Sequence, residues 1–222
     1  MKWELHAHTS HSSHCGKVEA AEVARVYAAA GYTGVVVTDH FNRENLECFP
    51  GEPADQVREW LKGYEAVREA AEPLGLRVLF GMEARLQDCD NDYLILGAEP
   101  AMALSHPRLN FLTLAELHAL CGEYGALLVQ AHPNRKMCRQ ADPALLDGVE
   151  GFNGNPRHDS RNDVTLAFAA GHPHLIVTSG SDFHQMMDLA RGGIETDEYI
   201  ETSADLARCL RARRFTCIVP EG

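Results

Sequence analysis

The sequence has no excess of positive charge, no long apolar run and no closely paired cysteines. Its 20 Lys and Arg stand against 32 Asp and Glu, a formal net charge of −12 over 222 residues. Affinity for nucleic acid comes largely from Lys and Arg displacing counterions from phosphates. No long basic stripe offsets the acidic balance, so no nucleic-acid partner is expected. Nowhere do about 18 consecutive apolar residues occur, the length a membrane-spanning helix requires. The opening Met1-Lys2-Trp3-Glu4-Leu5-His6 carries no apolar stretch of signal-peptide length. The expectation is a soluble, cytoplasmic protein with no membrane partner, and no feature specifies an oligomeric state. The seven cysteines, Cys15, Cys48, Cys89, Cys121, Cys138, Cys209 and Cys217, are odd in number and scattered singly. They read as reduced thiols, which excludes a zinc ribbon and a disulfide scaffold.

What is present is an ordinary globular composition, 45% hydrophobic and 23% charged. Short apolar runs alternate with segments of helical period almost from end to end, the pattern of parallel strands joined by crossover helices. Strands are expected at Trp3 to Leu5, Val35 to Thr38, Arg77 to Phe80, Tyr93 to Leu96, Ala126 to Gln130, Val149 to Phe152, Leu175 to Thr178 and Phe215 to Val219. Helical patterns cover Val18 to Ala30, Asp55 to Leu74, Asp163 to Ala170 and Ser203 to Arg213. A further helix opens at Thr113, where Glu116 completes a capping box, and reaches about Tyr124. No repeat or linker divides the chain, so a single domain over residues 1–222 is expected. Seven or eight β/α units imply a closed or nearly closed barrel, small beside the ~250 residues of the eight-fold version. A doubly wound open sheet is the alternative.

The residues able to do chemistry fall immediately after the strands. His6 and His8 follow the first, His40 the second and Glu83 the third, while His132 closes the run from Ala126, and Asp182 with His184 follow the run from Leu175. In a parallel barrel the C-terminal strand ends open onto one face, so residues remote in sequence meet there. Neutral imidazoles and ionised carboxylates hold Zn, Mn or Fe, and residues i and i+2 of an extended segment project to one side, so His6 and His8 can reach one cation. Taken together, these strand-end residues read as a metal site.

The set resembles the PHP superfamily, named for its polymerase and histidinol phosphatase members. The resemblance runs through His6-Ala7-His8-Thr9, Gly34 to His40 (GVVVTDH), Gly81-Met82-Glu83, Gln130-Ala131-His132-Pro133 and Gly180-Ser181-Asp182-Phe183-His184, in the family's order. It implies an α/β fold, a distorted TIM-like (β/α)7 barrel, carrying two or three divalent metal ions. Carried over residue by residue, it implies His6, His8, Glu83 and Asp182 as ligands of one metal, Glu83 and His132 of a second, and His40 and His184 of a third, with Glu83 bridging. Two departures stand out. Where the family has an Asp or His shortly after His-x-His, this chain has Ser13 at the Asp spacing and His14 at the His spacing, which makes His14 a candidate ligand of the third metal. Where many members place a histidine between the Glu and His-Pro motifs, this chain reads Asp92-Tyr93-Leu94-Ile95-Leu96-Gly97-Ala98-Glu99, leaving Glu99 as a substitute or the second metal short of a ligand.

Such a centre polarises a phosphoryl oxygen and lowers the pKa of bound water towards 7. The expected reaction is hydrolysis of a phosphate ester in a small phosphorylated molecule, with Asp182, His184 and Arg135 as catalytic residues. Arg135 follows His132-Pro133-Asn134, where a bidentate contact to a substrate anion is geometrically apt; Arg157 and His158 are further substrate-binding candidates. Two alternatives stand beside this reading. One is an amidohydrolase-like C–N hydrolase, since that superfamily also opens with His-x-His. The other is a degenerate PHP module that binds metal or a phospholigand and regulates a partner.

Overall fold

The computed structural model describes residues 1–87 and 89–220. The strands are β1 (Lys2–Ala7), β2 (Gly34–Val37), β3 (His40–Phe41), β4 (Arg77–Arg85), β5 (Asp92–Leu96), β6 (Leu127–Gln130), β7 (Gly148–Asn153), β8 (Ile176–Gly180), β9 (Ile194–Glu195) and β10 (Thr216–Cys217). The helices are α1 (Ala20–Ala29), α2 (Arg43–Leu46), α3 (Pro53–Ala71), α4 (Pro100–Ser105), α5 (Leu114–Glu123), α6 (Asn162–Ala170) and α7 (Ser203–Arg211). The capping box expected at Thr113 is present and opens α5. No helix among the described residues is long and apolar enough to cross a membrane.

The strands form one sheet in the order β10-β9-β1-β2-β4-β5-β6-β7-β8, with β3 paired to β4. It curls until its ends approach. Ala7 bridges Phe183 in parallel, His8 N–H donates to Phe183 O at 2.9 Å, and Phe183 N–H donates to His6 O at 3.0 Å. The result is a nearly closed, barrel-shaped α/β sheet. Two strands depart from the all-parallel reading: the short β9 runs antiparallel to β1 and β10, and β5 runs antiparallel to both β4 and β6. The start of β5 therefore lies at the rim where its neighbours end.

Alternation along the strands separates two apolar layers. Val35 and Val37 of β2 join the residues that α1 and α3 bury, including Val23, Tyr27, Trp60 and Val67. Trp3, Leu5, Val36, Leu94 and Leu96 instead share a cluster with Leu206 and Leu210 of α7. α7 packs against the end of the barrel remote from the rim: a Cβ on Gly97, just past β5, would lie 2.7 Å from Ala207 Cβ.

Two bulges break the alternation where function needs it. In β1 the register slips between Glu4 and Ala7, so the two residues Leu5 and His6 together span one step of β2. A strand alternates sides with period two, so the extra residue resets the parity. Trp3 and Leu5 face the apolar layer, and beyond the bulge it is His6 and His8 that turn inward. The N–H groups freed by the bulge are not lost: Glu4 Oε1 accepts from Leu5 N at 3.0 Å, His6 N at 2.9 Å and Ser181 N at 2.9 Å, while Tyr27 Oη donates to Glu4 Oε2. The second bulge lies in β7 between Glu150 and Phe152, and lets both Glu150 and Asn153 face the same interior.

Candidate metal centre

Seven of the eight ligand candidates converge at the rim. The ligand atoms of His6, His8 and Asp182 lie within 4.8 Å of one another, as do those of His6, Glu83 and His132, and those of His8, His40 and His184. Glu83 is shared: its oxygens lie 3.3 Å from His6 Nε2, 3.4 Å from His8 Nε2, 2.7 Å from His40 Nδ1 and 3.1 Å from His132 Nε2. The eighth candidate, His14, is not brought in. Its backbone N–H donates to Asn45 Oδ1, and its exposed ring lies 3.9 Å from Cys48 Sγ.

Four of the five rings, those of His6, His8, His132 and His184, are held from behind by the nitrogen that does not face the centre. His6 Nδ1 donates to Glu150 Oε1 at 2.8 Å, and His184 Nδ1 to the carbonyl of Asp182 at 2.9 Å. Ser13 Oγ donates to Asp39 Oδ1 at 2.7 Å, so it accepts from His8 Nδ1 at 3.2 Å and from His40 N at 2.9 Å. His132 Nδ1 lies 3.7 Å from Cys138 Sγ. Partners of this kind fix tautomer and ring plane, leaving the far nitrogen as a lone-pair donor. His6 Nε2, His8 Nε2, His40 Nδ1 and Glu83 Oε2 are buried and hydrogen-bond to nothing in the described chain. Unpartnered buried polar atoms are costly. Four of them aimed at one spot, on a His and carboxylate donor set, fit divalent cations of the Zn, Mn or Fe type.

Backbone and packing pin the ligands further. His132 and Asp182 both have positive φ, 28° and 51°, conformations that non-glycine residues hold only when their surroundings over-determine them. On α3, a Cβ at Gly63 would lie 2.2 Å from Ser12 Oγ, 2.6 Å from Thr9 Oγ1 and 3.0 Å from Asp39 Oδ2. Only glycine lets the helix approach the Thr9–Ser13 segment that supports His8.

Without cations, protons balance the buried carboxylates. Burial disfavours charge on His6, but Glu150, Glu83 and Asp182 outweigh it and hold the ring well above the usual histidine range. Burial raises Glu83 and Asp182, yet His40 and His6 draw Glu83, and His6 and Arg135 draw Asp182, well below the carboxylate range. His8 moves the other way, lowered by burial and by His184 and His40, so it stays neutral. Cys15 is a neighbour that sequence reading passed over: burial raises its thiol, but hydrogen bonds with His184 and His40 bring it down to about 6.

At the place where the sequence leaves the expected second metal short of a histidine, the structure puts Asp92. It starts β5, and because β5 is reversed, Asp92 sits at the rim in a group with His40 and Glu83, its Oδ2 3.9 Å from His132 Nε2. Glu99 lies past the opposite end of the strand, at the start of α4. The turn-forming Asp90-Asn91 just before Asp92 was the available sequence signal for a reversal.

The cationic candidates are engaged within the protein. Arg135 donates to Asp182 Oδ2 at 2.6 Å, to Asn153 Oδ1 at 2.9 Å and to Ser160 Oγ at 3.2 Å through one terminal nitrogen, while its buried Nε has no partner. Arg157 forms two 3.0 Å bonds with Asp188, whose Oδ2 also accepts from His184 N. His158 lies exposed beside them, lowered by burial and by Arg135 and Arg157. Arg135 and Arg157 thus orient Asp182 and the His184 segment. A groove of about 400 Å³, lined in part by Arg43, Arg85 and Asn110, adjoins the Asp92 side.

The family model described as "PHP domain" matches residues 4–215. The search of the curated proteins finds no match. Among solved structures, the chain is similar to a two-domain protein of Bacteroides vulgatus that contains a domain titled PHP-like metal-dependent phosphoesterase, with TM-score 0.70, 17% identity and 99% of this chain covered. The chain spans 64% of that protein's length. A protein of Bifidobacterium adolescentis, to which metal-dependent phosphoesterase activity is ascribed, aligns with TM-score 0.61 and 19% identity over 95% of this chain and 96% of its own. An amidohydrolase of Chromobacterium violaceum, solved with sulfate and no metal, aligns with TM-score 0.55 and 18% identity over 83% of this chain and 88% of its own.

Proposed function

Because the chain belongs to the PHP domain family, we propose that it is a metal-dependent phosphoesterase acting on a small phosphorylated molecule at a centre of two or three divalent cations. The observation that carries this reading is the convergence of four buried, unpartnered ligand atoms on His6, His8, His40 and Glu83 at one end of the barrel. Divalent cations bound there polarise a phosphoryl oxygen and bring the pKa of water towards 7.

The chain's own residues do the rest. His6 and His8 offer lone pairs whose direction is set by Glu150 and by the Asp39–Ser13 relay. Asp182, kept ionised and aimed by Arg135, supplies a carboxylate oxygen 3.5 Å from His6 Nε2 and 3.6 Å from His8 Nε2. His184, turned by the carbonyl of Asp182, faces the same space and offers a ring nitrogen beside those of His8 and His40. Arg135, whose Nε is unpartnered, is the cation beside the centre that favours an anionic substrate.

The test is phosphate release from a panel of phosphate mono- and diesters by protein reloaded with Mn, Zn or Fe. Asp182→Asn, which keeps the shape of the side chain, serves as the blank. Release that the variant lacks supports the reading. Hydrolysis of cyclic amides with none of phosphate esters would overturn it in favour of C–N bond cleavage.

A further inference from the structure

We infer that Glu150, acting with Asn153, is the positioning residue that sets the His6 tautomer, anchors the His132 backbone and steadies the Arg135–Asp182 pair, so that three of the ligands are oriented by one buried pair of side chains. The inference rests on the reading of the rim as a metal centre and is independent of the reaction performed there.

Glu150 and Asn153 lie on β7, 1% and 3% exposed, and the bulge between them turns both inward. Which way the Asn153 amide points follows from its neighbours. Arg135 Nη2 donates to Asn153 Oδ1 at 2.9 Å and Asn155 N–H donates to it at 3.1 Å, and neither group can accept. The Asn153 amide nitrogen therefore faces the carboxylates, donating to Glu150 Oε2 at 2.8 Å and to Asp182 Oδ2 at 3.3 Å. His132 N–H donates to the same Glu150 oxygen at 3.1 Å, which anchors a residue whose φ is 28°. The other oxygen, Oε1, takes His6 Nδ1 at 2.8 Å. β8 makes room for that contact with a glycine: a Cβ on Gly180 would lie 2.5 Å from His6 Cβ and 2.6 Å from Glu150 Oε1.

Every donor that meets Glu150 requires an acceptor, and only a carboxylate presents acceptors on both sides. With Nδ1–H given to Oε1, the His6 lone pair stands on Nε2, the buried atom that has no partner. An amide of the same shape fails in either orientation. If its NH2 group meets His6 Nδ1, the ring must carry its proton on Nε2, where a cation would bind. If the NH2 group takes the place of Oε2, His132 N–H and the Asn153 amide nitrogen meet another donor. Turning Asn153 over to relieve that conflict sets its own NH2 group against Arg135, which aims Asp182. A carboxylate behind a metal-ligating imidazole fixes the ring and raises its basicity. Here the same carboxylate also reaches a second ligand through its backbone and a third through Asn153.

The experiment is zinc binding by the full chain, measured by competition with a chelator, together with NMR of isotope-labelled histidine in the zinc-saturated protein. The wild type is expected to show His6 with its proton on Nδ1. Glu150→Gln is expected to keep the wild-type circular dichroism, to bind zinc at least about tenfold more weakly, and either to lose the His6 Nδ1–H signal or to shift the His132 ring. Asn153→Ser, which leaves the Glu150–His6 contact in place, is expected to weaken zinc binding while the His6 Nδ1–H signal stays. Thr178→Val removes a buried hydroxyl from the residue paired with Glu150 across β7 and β8, and is expected to bind zinc as the wild type does. Wild-type zinc affinity in Glu150→Gln or Asn153→Ser, or an unchanged histidine spectrum in Glu150→Gln, overturns the inference. An equal loss in Thr178→Val also overturns it, by making the effect one of packing. Phosphate release measured on the same samples separates the readings: a zinc-loaded wild type without turnover on any ester counts only against the phosphoesterase, and a wild type that binds no zinc overturns the metal centre and this inference together.

Discussion

Arg85 and Asp92 face one another across the antiparallel β4–β5 pair and are joined by two hydrogen bonds, 2.8 Å from Nε to Oδ1 and 2.7 Å from Nη2 to Oδ2. The fork fixes the Asp92 carboxylate beside Glu83 and His132. Asp92→Ala is therefore expected to weaken one cation by about 10 to 100-fold, the range seen when a ligand or its support is removed. Competition with a chelator measures this, and unchanged affinity for every bound cation would exclude Asp92 from the centre.

Glu4 answers four donors from within the barrel wall: Leu5 N, His6 N, Ser181 N and Tyr27 Oη. Each buried donor left unpaired costs ~1–3 kcal/mol. Glu4→Ala should lower stability to urea by about 3 kcal/mol or more, even in metal-free protein. Since the same carboxylate sets the bulge that turns His6 inward, metal content should fall with it. A variant as stable and as metal-rich as wild type would show that the bulge holds itself.

At Gly63 the prediction concerns placement more than stability. An added methyl would meet Ser12, Thr9 and Asp39, and overpacking of this kind costs roughly 1–3 kcal/mol. Gly63→Ala should retain its circular dichroism spectrum and lose metal affinity at least about tenfold, because the Asp39–Ser13–His8 relay moves. Retention of full affinity, measured by calorimetry, would mean that α3 gives way instead.

Acidity separates the metal-free and loaded forms. His184 is pulled down by burial but raised by Asp182 and Cys15 to about 9. His132, pulled down by burial and Arg135, is raised by Cys138 and Glu83 to about 9. A histidine whose folded pKa exceeds its unfolded value of about 6.5 stabilises the fold fully below that value and ceases to do so as pH rises through the folded value. Metal-free protein should thus lose urea resistance between about pH 6.5 and 9. Cation uptake near pH 7.5 should release protons, since both rings must be neutral to bind metal. Calorimetry in buffers of different ionisation enthalpy reads that release directly; proton-neutral uptake would contradict it.

Much of the rim could be read in the sequence because strand ends are local features: an apolar run followed by His or Glu marks His6, Glu83 and His132 without reference to the rest of the chain. The direction of a strand is not local. Nothing in Tyr93 to Leu96 says which way the segment runs, so the sequence alone points to Glu99 at the far end and not to Asp92. Arg135 shows the same limit for charge. Its place beside His132 is visible, but its partner Asp182 is 47 residues away, and whether a guanidinium is free or paired depends on tertiary packing. Elements of two residues, such as β9, carry no period to detect.

The bridge from Ala7 to Phe183 also governs how the protein is made. Glu4 and Ser181, which meet where the sheet closes, are 177 residues apart, so a newly synthesised chain has no assembled metal centre until almost all of the described sequence has left the ribosome. Long-range closure of this sort makes for slow folding. The metal then acts as a late arrival that traps the finished barrel, adding stability in proportion to the logarithm of its free concentration. A cell short of that metal would accumulate chains that are folded but more readily unfolded and degraded, so supply of the ion would set how much of this protein persists.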